Sequence, residues 1–287
     1  MSISWGLWVR RFSIAVIAAV STVALTQIAF AADLPRKTPA APPAPPPIYN
    51  WTGFYVGGNI GGGWANRDVV WSAGHPAIVG FDTIQETFLP PVSYKPSGVL
   101  GGIQLGYNWQ FNPNWLIGLE TDFDWSGVKG SGTGIGSLQG GAFPFTLAAE
   151  ERIKWFGTVR ARLGYLFTPS LLAYVAGGFA YGNVERSASY VNSSNSEFSA
   201  GLNFSCNPGA ACFLVSSSDT RTGWTAGGGL EYAFWGNFSV KAEYLYIRLD
   251  NNSLFAGAVT GISGVGYVVT FNRLDLNVAR VGLNYRF

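Results

Sequence analysis

Histidine occurs once in this chain of 287 residues, cysteine twice, and charged residues make up only 12% of it. Each scarcity excludes something. A metal centre built on histidine and cysteine needs several ligands close together, and the single histidine, His75, is far in sequence from Cys206 and Cys212. A soluble domain carries about twice this share of charge. A nucleic-acid binder needs a basic excess. Here, loss of Arg10 and Arg11 with the N-terminal segment takes Lys plus Arg from 18 to 16, equal to the 16 Asp plus Glu. Long apolar runs are also missing after residue 31. The nearest is the uncharged stretch between Arg162 and Glu185, which Thr168-Pro169-Ser170 breaks and four glycines dilute. In lipid only helices and closed barrels satisfy the backbone, so a membrane-spanning reading of this composition requires a barrel.

The first 31 residues have the layout of a secretory signal. Arg10 and Arg11 give a positive start, Phe12 to Leu25 is apolar, and Ala29-Phe30-Ala31 fits the small-x-small cleavage rule. Cleavage is expected after Ala31, and no cysteine follows it to carry a lipid anchor. Residues 32–48 hold seven prolines and read as an extended periplasmic spacer. Contact with peptidoglycan through this linker is the less bland alternative.

Glycine and aromatic residues are what the chain does have, the aromatics at 15%. Four times an aliphatic residue is followed by aromatics two and four positions on: Leu105, Tyr107, Trp109; Leu163, Tyr165, Phe167; Leu230, Tyr232, Phe234; and Leu283, Tyr285, Phe287. A period of two belongs to strands. The first three copies run into Asn112-Pro113-Asn114, Thr168-Pro169-Ser170 and Gly236-Asn237, which are tight turns. Eight strands are expected, near 51–65, 97–111, 114–126, 152–167, 171–186, 220–235, 238–249 and 271–287. Three short turns alternate with four long polar loops, 66–96, 127–151, 187–219 and 250–270. That asymmetry is the one found in an eight-stranded antiparallel transmembrane β-barrel, 49–287, in the cell outer membrane.

Alternation then assigns faces. Val159, Ala161, Leu163, Tyr165 and Phe167 share one face of their strand; Lys154, Thr158, Arg160 and Arg162 share the other. In the last strand Val281, Leu283, Tyr285 and Phe287 oppose Arg280, Asn284 and Arg286, but Leu274, Leu276 and Val278 fall on the polar parity. A bulge near Ala279, or a strand rising beyond the bilayer, would explain them. Taken together, Glu120, Asp122, Asp124, Glu231 and Glu243 face inward with Lys154, Arg160, Arg162, Lys241, Arg280 and Arg286, beside Tyr55, Gln104 and Phe156. Eight strands enclose a lumen only just filled by side chains. A salt-bridge network is therefore favoured over an acid–base or ion-conducting cluster.

Three sequences carry a resemblance. Asn50-Trp51-Thr52-Gly53-Phe54-Tyr55-Val56-Gly57-Gly58-Asn59, Val240-Lys241-Ala242-Glu243-Tyr244-Leu245-Tyr246 and Asn277 to Phe287 make the chain similar to the alphaproteobacterial outer-membrane immunogenic proteins, the RopB-like porin family. The resemblance implies an eight-stranded, surface-exposed, antigenic barrel; members are described as porins, heme binders or envelope-structural proteins.

The expectation is an integral outer-membrane barrel that contributes to envelope integrity, with a narrow pore for small solutes. The alternative is a surface ligand binder or adhesin acting through the long loops, for example on heme through His75, Tyr94 or Tyr190. No catalytic residue, metal or cofactor is expected. The one enzyme-like grouping, His75 with Ser72 and Asp82, reads as a solvated loop. Cys206 and Cys212 are a candidate disulfide in an exported protein. Leu283, Tyr285 and Phe287 resemble the signal read by the barrel-assembly machinery. The remaining partners expected are outer-membrane lipid and lipopolysaccharide, and no nucleic acid.

Overall fold

The computed structural model describes residues 49–74, 88–138, 141–195, 198–200, 204–259 and 265–287. The expected signal (1–31) and linker (32–48) lie outside the described residues, as do His75 and Asp82. The described strands are β1 (Gly53–Ala65), β2 (Arg67–Ala73), β3 (Val92–Tyr94), β4 (Ser97–Asn112), β5 (Trp115–Ser126), β6 (Lys129–Leu138), β7 (Phe143–Thr168), β8 (Leu171–Asn192), β9 (Phe198–Ala200), β10 (Phe204–Cys206), β11 (Ala211–Trp235), β12 (Phe238–Leu249), β13 (Asn252–Ala258), β14 (Gly266–Phe271) and β15 (Leu274–Arg286). Among the described residues there is no helix.

Eight strands close an antiparallel ring in the order β1, β4, β5, β7, β8, β11, β12, β15, and β15 pairs back onto β1. Local chemistry sets the tight turns at one end. Asn112 Oδ1 accepts from the backbone N–H of Asn114 (3.0 Å) and Trp115 (2.8 Å). Thr168 Oγ1 accepts from the N–H of Leu171 at 3.1 Å. Gly236 turns the third corner at φ +50°, a conformation that glycine adopts without steric penalty.

The wall is taller than the membrane. β7, β8 and β11 run for 26, 22 and 25 residues, whereas a tilted membrane strand needs about 9–11. Much of what the sequence reads as long polar loop is therefore wall: 143–151 belongs to β7, 187–192 to β8 and 211–219 to β11, with β2, β3, β6, β13 and β14 added alongside. The reason lies in the outer face. There the outward residues are Ser216, Ser218 and Thr220 on β11, or Glu150 and Arg152 on β7, so no apolar exterior marks a strand.

Polarity reverses along the barrel's height. In the lower part the outward residues are apolar, among them Ile103, Leu119, Val159, Leu163 and Val281. Aromatic contacts bracket this band. Phe54–Tyr107 (4.8 Å), Trp115–Tyr165 (5.1 Å) and Phe238–Tyr285 (5.1 Å) lie at the turn end. Phe123–Trp155 (5.4 Å), Trp155–Tyr181 (6.1 Å), Trp224–Tyr246 (5.5 Å) and Trp64–Tyr244 (6.3 Å) lie at the other. Such girdles mark the two bilayer interfaces. From the upper girdle upward the exterior becomes mainly polar and the interior mainly apolar. One cluster includes Leu100, Phe156, Leu245, Leu276 and Val278. A second, farther up, includes Trp71, Phe145, Tyr190, Phe213 and Tyr267.

That reversal explains the parity conflict in β15. Leu274, Leu276 and Val278 are buried on the same inner face as Arg280, Asn284 and Arg286. The ladders to β1 and β12 run unbroken past Ala279, so there is no bulge. β12 does the same, passing from Lys241 and Glu243 to Leu245, Ile247 and Leu249 on one inner face. A bulge does exist in β7, between Ile153 and Trp155. It corrects the placement of Lys154: the extra residue turns this side chain outward, where it pairs with Glu185 at 2.5 Å.

Candidate functional site

The site is the charged interior at mid-barrel. Period two delivers each side chain inward, and register places opposite signs face to face: Glu120 against Arg160, Glu243 against Arg280, Glu231 against Lys241. Directly opposed charges of unlike sign stabilise a sheet. β5 contributes Glu120, Asp122 and Asp124; β7 contributes Arg160 and Arg162; β11, β12 and β15 contribute the others.

Arg160 is the hub. Its Nη1 donates to Glu243 at 2.8 Å, and its Nη2 donates to Asp122 at 2.8 Å and also to Glu120. Arg280 donates to Glu243 (2.8 Å), Asp124 (2.6 Å) and Asp122 (2.8 Å). Lys241 donates to both oxygens of Glu120 at 3.0 Å. Arg162 donates to Glu231 at 2.7 Å and lies 4.2 Å over the Tyr174 ring. Arg286 is farther from Glu231, at 4.0 Å, and sits over Trp51 at 4.8 Å. Five carboxylates meet five bases, all nearly sealed from solvent, so the layer is neutral overall. Removing two charges from water is costly unless each is paired and hydrogen-bonded; convergence of several partners meets that requirement for Glu120, Glu243, Arg160 and Arg280, whereas Nε and Nη2 of Arg286 have no hydrogen-bond acceptor.

Alternation placed Tyr55, Gln104, Thr158 and Asn284 on the inner face with the charges, but it did not single out Ser239 or Tyr174 and did not show which carboxylate each neutral group holds. Tyr55 donates to Glu120 at 2.6 Å, Thr158 to Asp122 at 2.8 Å, Ser239 to Glu231 at 2.6 Å, Asn284 to Glu231 at 3.0 Å and Tyr174 to Glu243 at 3.1 Å. Gln104 donates to Asn284. Gly106 leaves the space that the Tyr55 ring fills, since a Cβ there would overlap it. Tyrosine and serine occur on both faces of these strands, so composition alone gave no signal for Ser239 and Tyr174.

Apolar layers close the network on both sides. Above it is the cluster of Leu100, Phe156 and Val278. Below it are Leu116, Leu166, Leu172 and Trp51, whose indole N–H donates to the Pro169 carbonyl at 2.9 Å. The Trp51 side is therefore a floor fastened to a turn.

A second ionic layer lies above the girdle, in segments the sequence reading assigned to loops. Arg67 donates to Glu151 at 2.5 Å and also to the carbonyl of Asn272. Burial, with Glu151 beside it, raises the Tyr94 hydroxyl pKa above its usual range. Neither tyrosine named for heme is available as a surface ligand. Tyr94 is buried with its hydroxyl directed at Glu151, and Tyr190 is stacked on Phe145 at 4.1 Å. Ser72 donates to the Val268 carbonyl at 3.4 Å. Cys206 and Cys212 are joined in a disulfide, with Cα atoms 5.5 Å apart, tying β10 to β11 in the upper core. Leu283, Tyr285 and Phe287 all point outward on the closing strand, Phe287 at 74% exposure.

A family model described as outer membrane protein beta-barrel domain matches residues 16–287. The chain is 35% identical to the 31 kDa outer-membrane immunogenic protein of Brucella melitensis, over 90% of this chain and 93% of that one. It is 26% identical to a 22 kDa outer membrane protein of Rhizobium leguminosarum bv. viciae, over 84% and 80%. Among solved structures it is similar to OprG of Pseudomonas aeruginosa, with 14% identity, a TM-score of 0.41, and 82% and 96% of the two chains covered.

Proposed function

Because this chain belongs to the outer membrane protein β-barrel family and is an outer-membrane protein, we propose that it is a closed structural barrel contributing to envelope integrity, with no open path for sugar-sized solutes. The carrying observation is the sequence of layers: a neutral ionic network with packed apolar residues above and below it. A hydrated pore needs polar walls along its whole length, and the Leu100–Phe156–Val278 level offers none. Exchange of ion pairs within the network supports at most brief, small openings.

The exterior supports a partner as well. Lys129 stands directly across from Arg152, just above Trp125 and Trp155, and both are exposed. Like charges in that position repel. The phosphates of outer-leaflet lipopolysaccharide would lie at this height and relieve the repulsion. Conductance of the folded protein in a planar bilayer tests the main reading. The expected result is conductance far below that of a sixteen-stranded porin; large, steady openings would overturn the closed-barrel reading.

A further inference from the structure

Above the upper girdle the wall parts between β11 and β13. β11 is joined to β12 as far as Gly223↔Leu249, and the N–H of Asp250 donates to the Thr222 carbonyl at 3.0 Å. Farther up, β11 meets β13 only at Phe213↔Ala258 and Leu214↔Gly257, beside a 2.9 Å bond from the N–H of Val259 to Cys212. Between these joins no backbone hydrogen bond among the described residues links 215–221 to 252–256. Burial records the same opening. The inward residues Val215, Ser217 and Asp219 stay half-buried, while their direct partners on β8, Ala188, Arg186 and Val184, are buried.

Arg186 lies at the base of this opening. Its side chain is 3% exposed, and neither Nε nor Nη2 has a hydrogen-bond acceptor. The nearest carboxylate, Asp219, is 3.6 Å from Nη2 and is also held by Arg221 at 3.2 Å. Arg67 is engaged by Glu151. The layer thus sets Arg67, Arg186 and Arg221 against Glu151 and Asp219, leaving one positive charge unmatched. Burial, with Arg221 adding to it, lowers the Arg186 guanidinium pKa to about 10. The guanidinium also lies 5.3 Å over the Phe271 ring, but a sealed cation with two nitrogens lacking acceptors and one shared, distant carboxylate is under-satisfied and calls for an explanation.

We propose that this opening is a docking slot for an extended acidic peptide, which pairs with the free edge of β11 and sends one carboxylate in to Arg186. Strand edges are templates for added strands. Alternate residues direct both N–H and C=O to the same side. Since the carbonyls of Cys212 and Thr222 face β13 and β12, those of Ser216, Ser218 and Thr220 face the slot. A planar guanidinium takes a carboxylate through two parallel bonds. Partly buried Val215 and Leu254 border the upper core and would receive an aliphatic side chain two positions from the acid. The edge chemistry favours a peptide over a free anion.

The test uses the full folded protein in detergent, with fluorescence anisotropy of a labelled peptide, Thr-Val-Thr-Glu-Thr-Val-Thr, and its Gln twin. Saturable binding of the Glu peptide is expected, about tenfold tighter than the twin, as for a hydrogen bond to a charged group. Arg186→Gln should abolish that difference. Asp219→Asn should tighten the Glu peptide by removing the competing carboxylate. Ser218→Pro removes a slot-facing N–H without breaking the β8 ladder and should weaken both peptides; it decides the matter even if Arg186→Gln fails to fold. Equal binding of the twins, no binding of either, or an Arg186→Gln protein that still prefers Glu would overturn the proposal. So would competition by acetate with Ser218→Pro silent, which would indicate an anion pocket without strand docking. None of these outcomes depends on conductance.

Discussion

Arg160 shows how much depends on one side chain in a lumen this narrow. It bonds carboxylates from two strands, β5 and β12, and no solvent reaches it. Replacing it with Ser strands Glu120, Asp122 and Glu243 with fewer cations. Removing one partner of a buried pair costs about 3–5 kcal/mol, and urea unfolding in detergent should show a loss of that size. Leu163 and Thr158 test the two faces. Leu163 is exposed in the apolar band, so Leu163→Arg should cost about 2–4 kcal/mol near the midplane, read as a lower folding yield in vesicles. Thr158 is fully buried against Asp122, and Thr158→Arg should fold no better, because the lumen has no room for the larger side chain. Equal yields of Leu163→Arg and the parent would mean that the phase is wrong.

At the scale of the strand, β15 closes the ring by pairing with both β1 and β12. Its last residues carry the outward aromatic pattern, and the N–H of Phe287 donates to the Phe54 carbonyl at 3.0 Å. Deleting Phe287 should leave the chain unassembled and degraded; heat-modifiable barrel in the outer-membrane fraction would contradict this. The eight ring strands were legible because apolar residues alternate on a lipid-facing exterior. Where the exterior is wet, the same backbone carries Ser216, Ser218 and Thr220 outward and reads as loop. Leu274, Leu276 and Val278 were ambiguous for a related reason: interior polarity changes along one uninterrupted strand. Lys154 was misplaced because a single inserted residue shifts phase without any mark in composition.

At the scale of the molecule, two zones of opposite polarity are stacked on shared strands, the lower a closed ring and the upper a wall that parts between β11 and β13. The lower encloses charge and faces lipid; the upper encloses aromatics and faces water. The upper part should therefore behave as a packed domain rather than as loops. Hydrogen exchange in nanodiscs should show slow amides at 147–151 and 184–190, where β7 and β8 pair across a buried core. The slot-facing amides of Ser216, Ser218 and Thr220 should exchange quickly. Uniformly fast exchange above the girdle would show that the upper core is not packed in the folded protein.

The reversal at Trp155 and Tyr181 also works as a waterline. Sinking the barrel by one cross-strand pair, roughly 3.3 Å, draws Lys154 and Glu185 towards hydrocarbon. Raising it by the same step lifts Phe179 and Val159 towards water. On the β7–β8 side both displacements are penalised, so sliding does not relieve a bilayer that is too thick or too thin there. The lipids must adjust instead, and each copy of the protein imposes its own local thickness on the leaflets beside these strands.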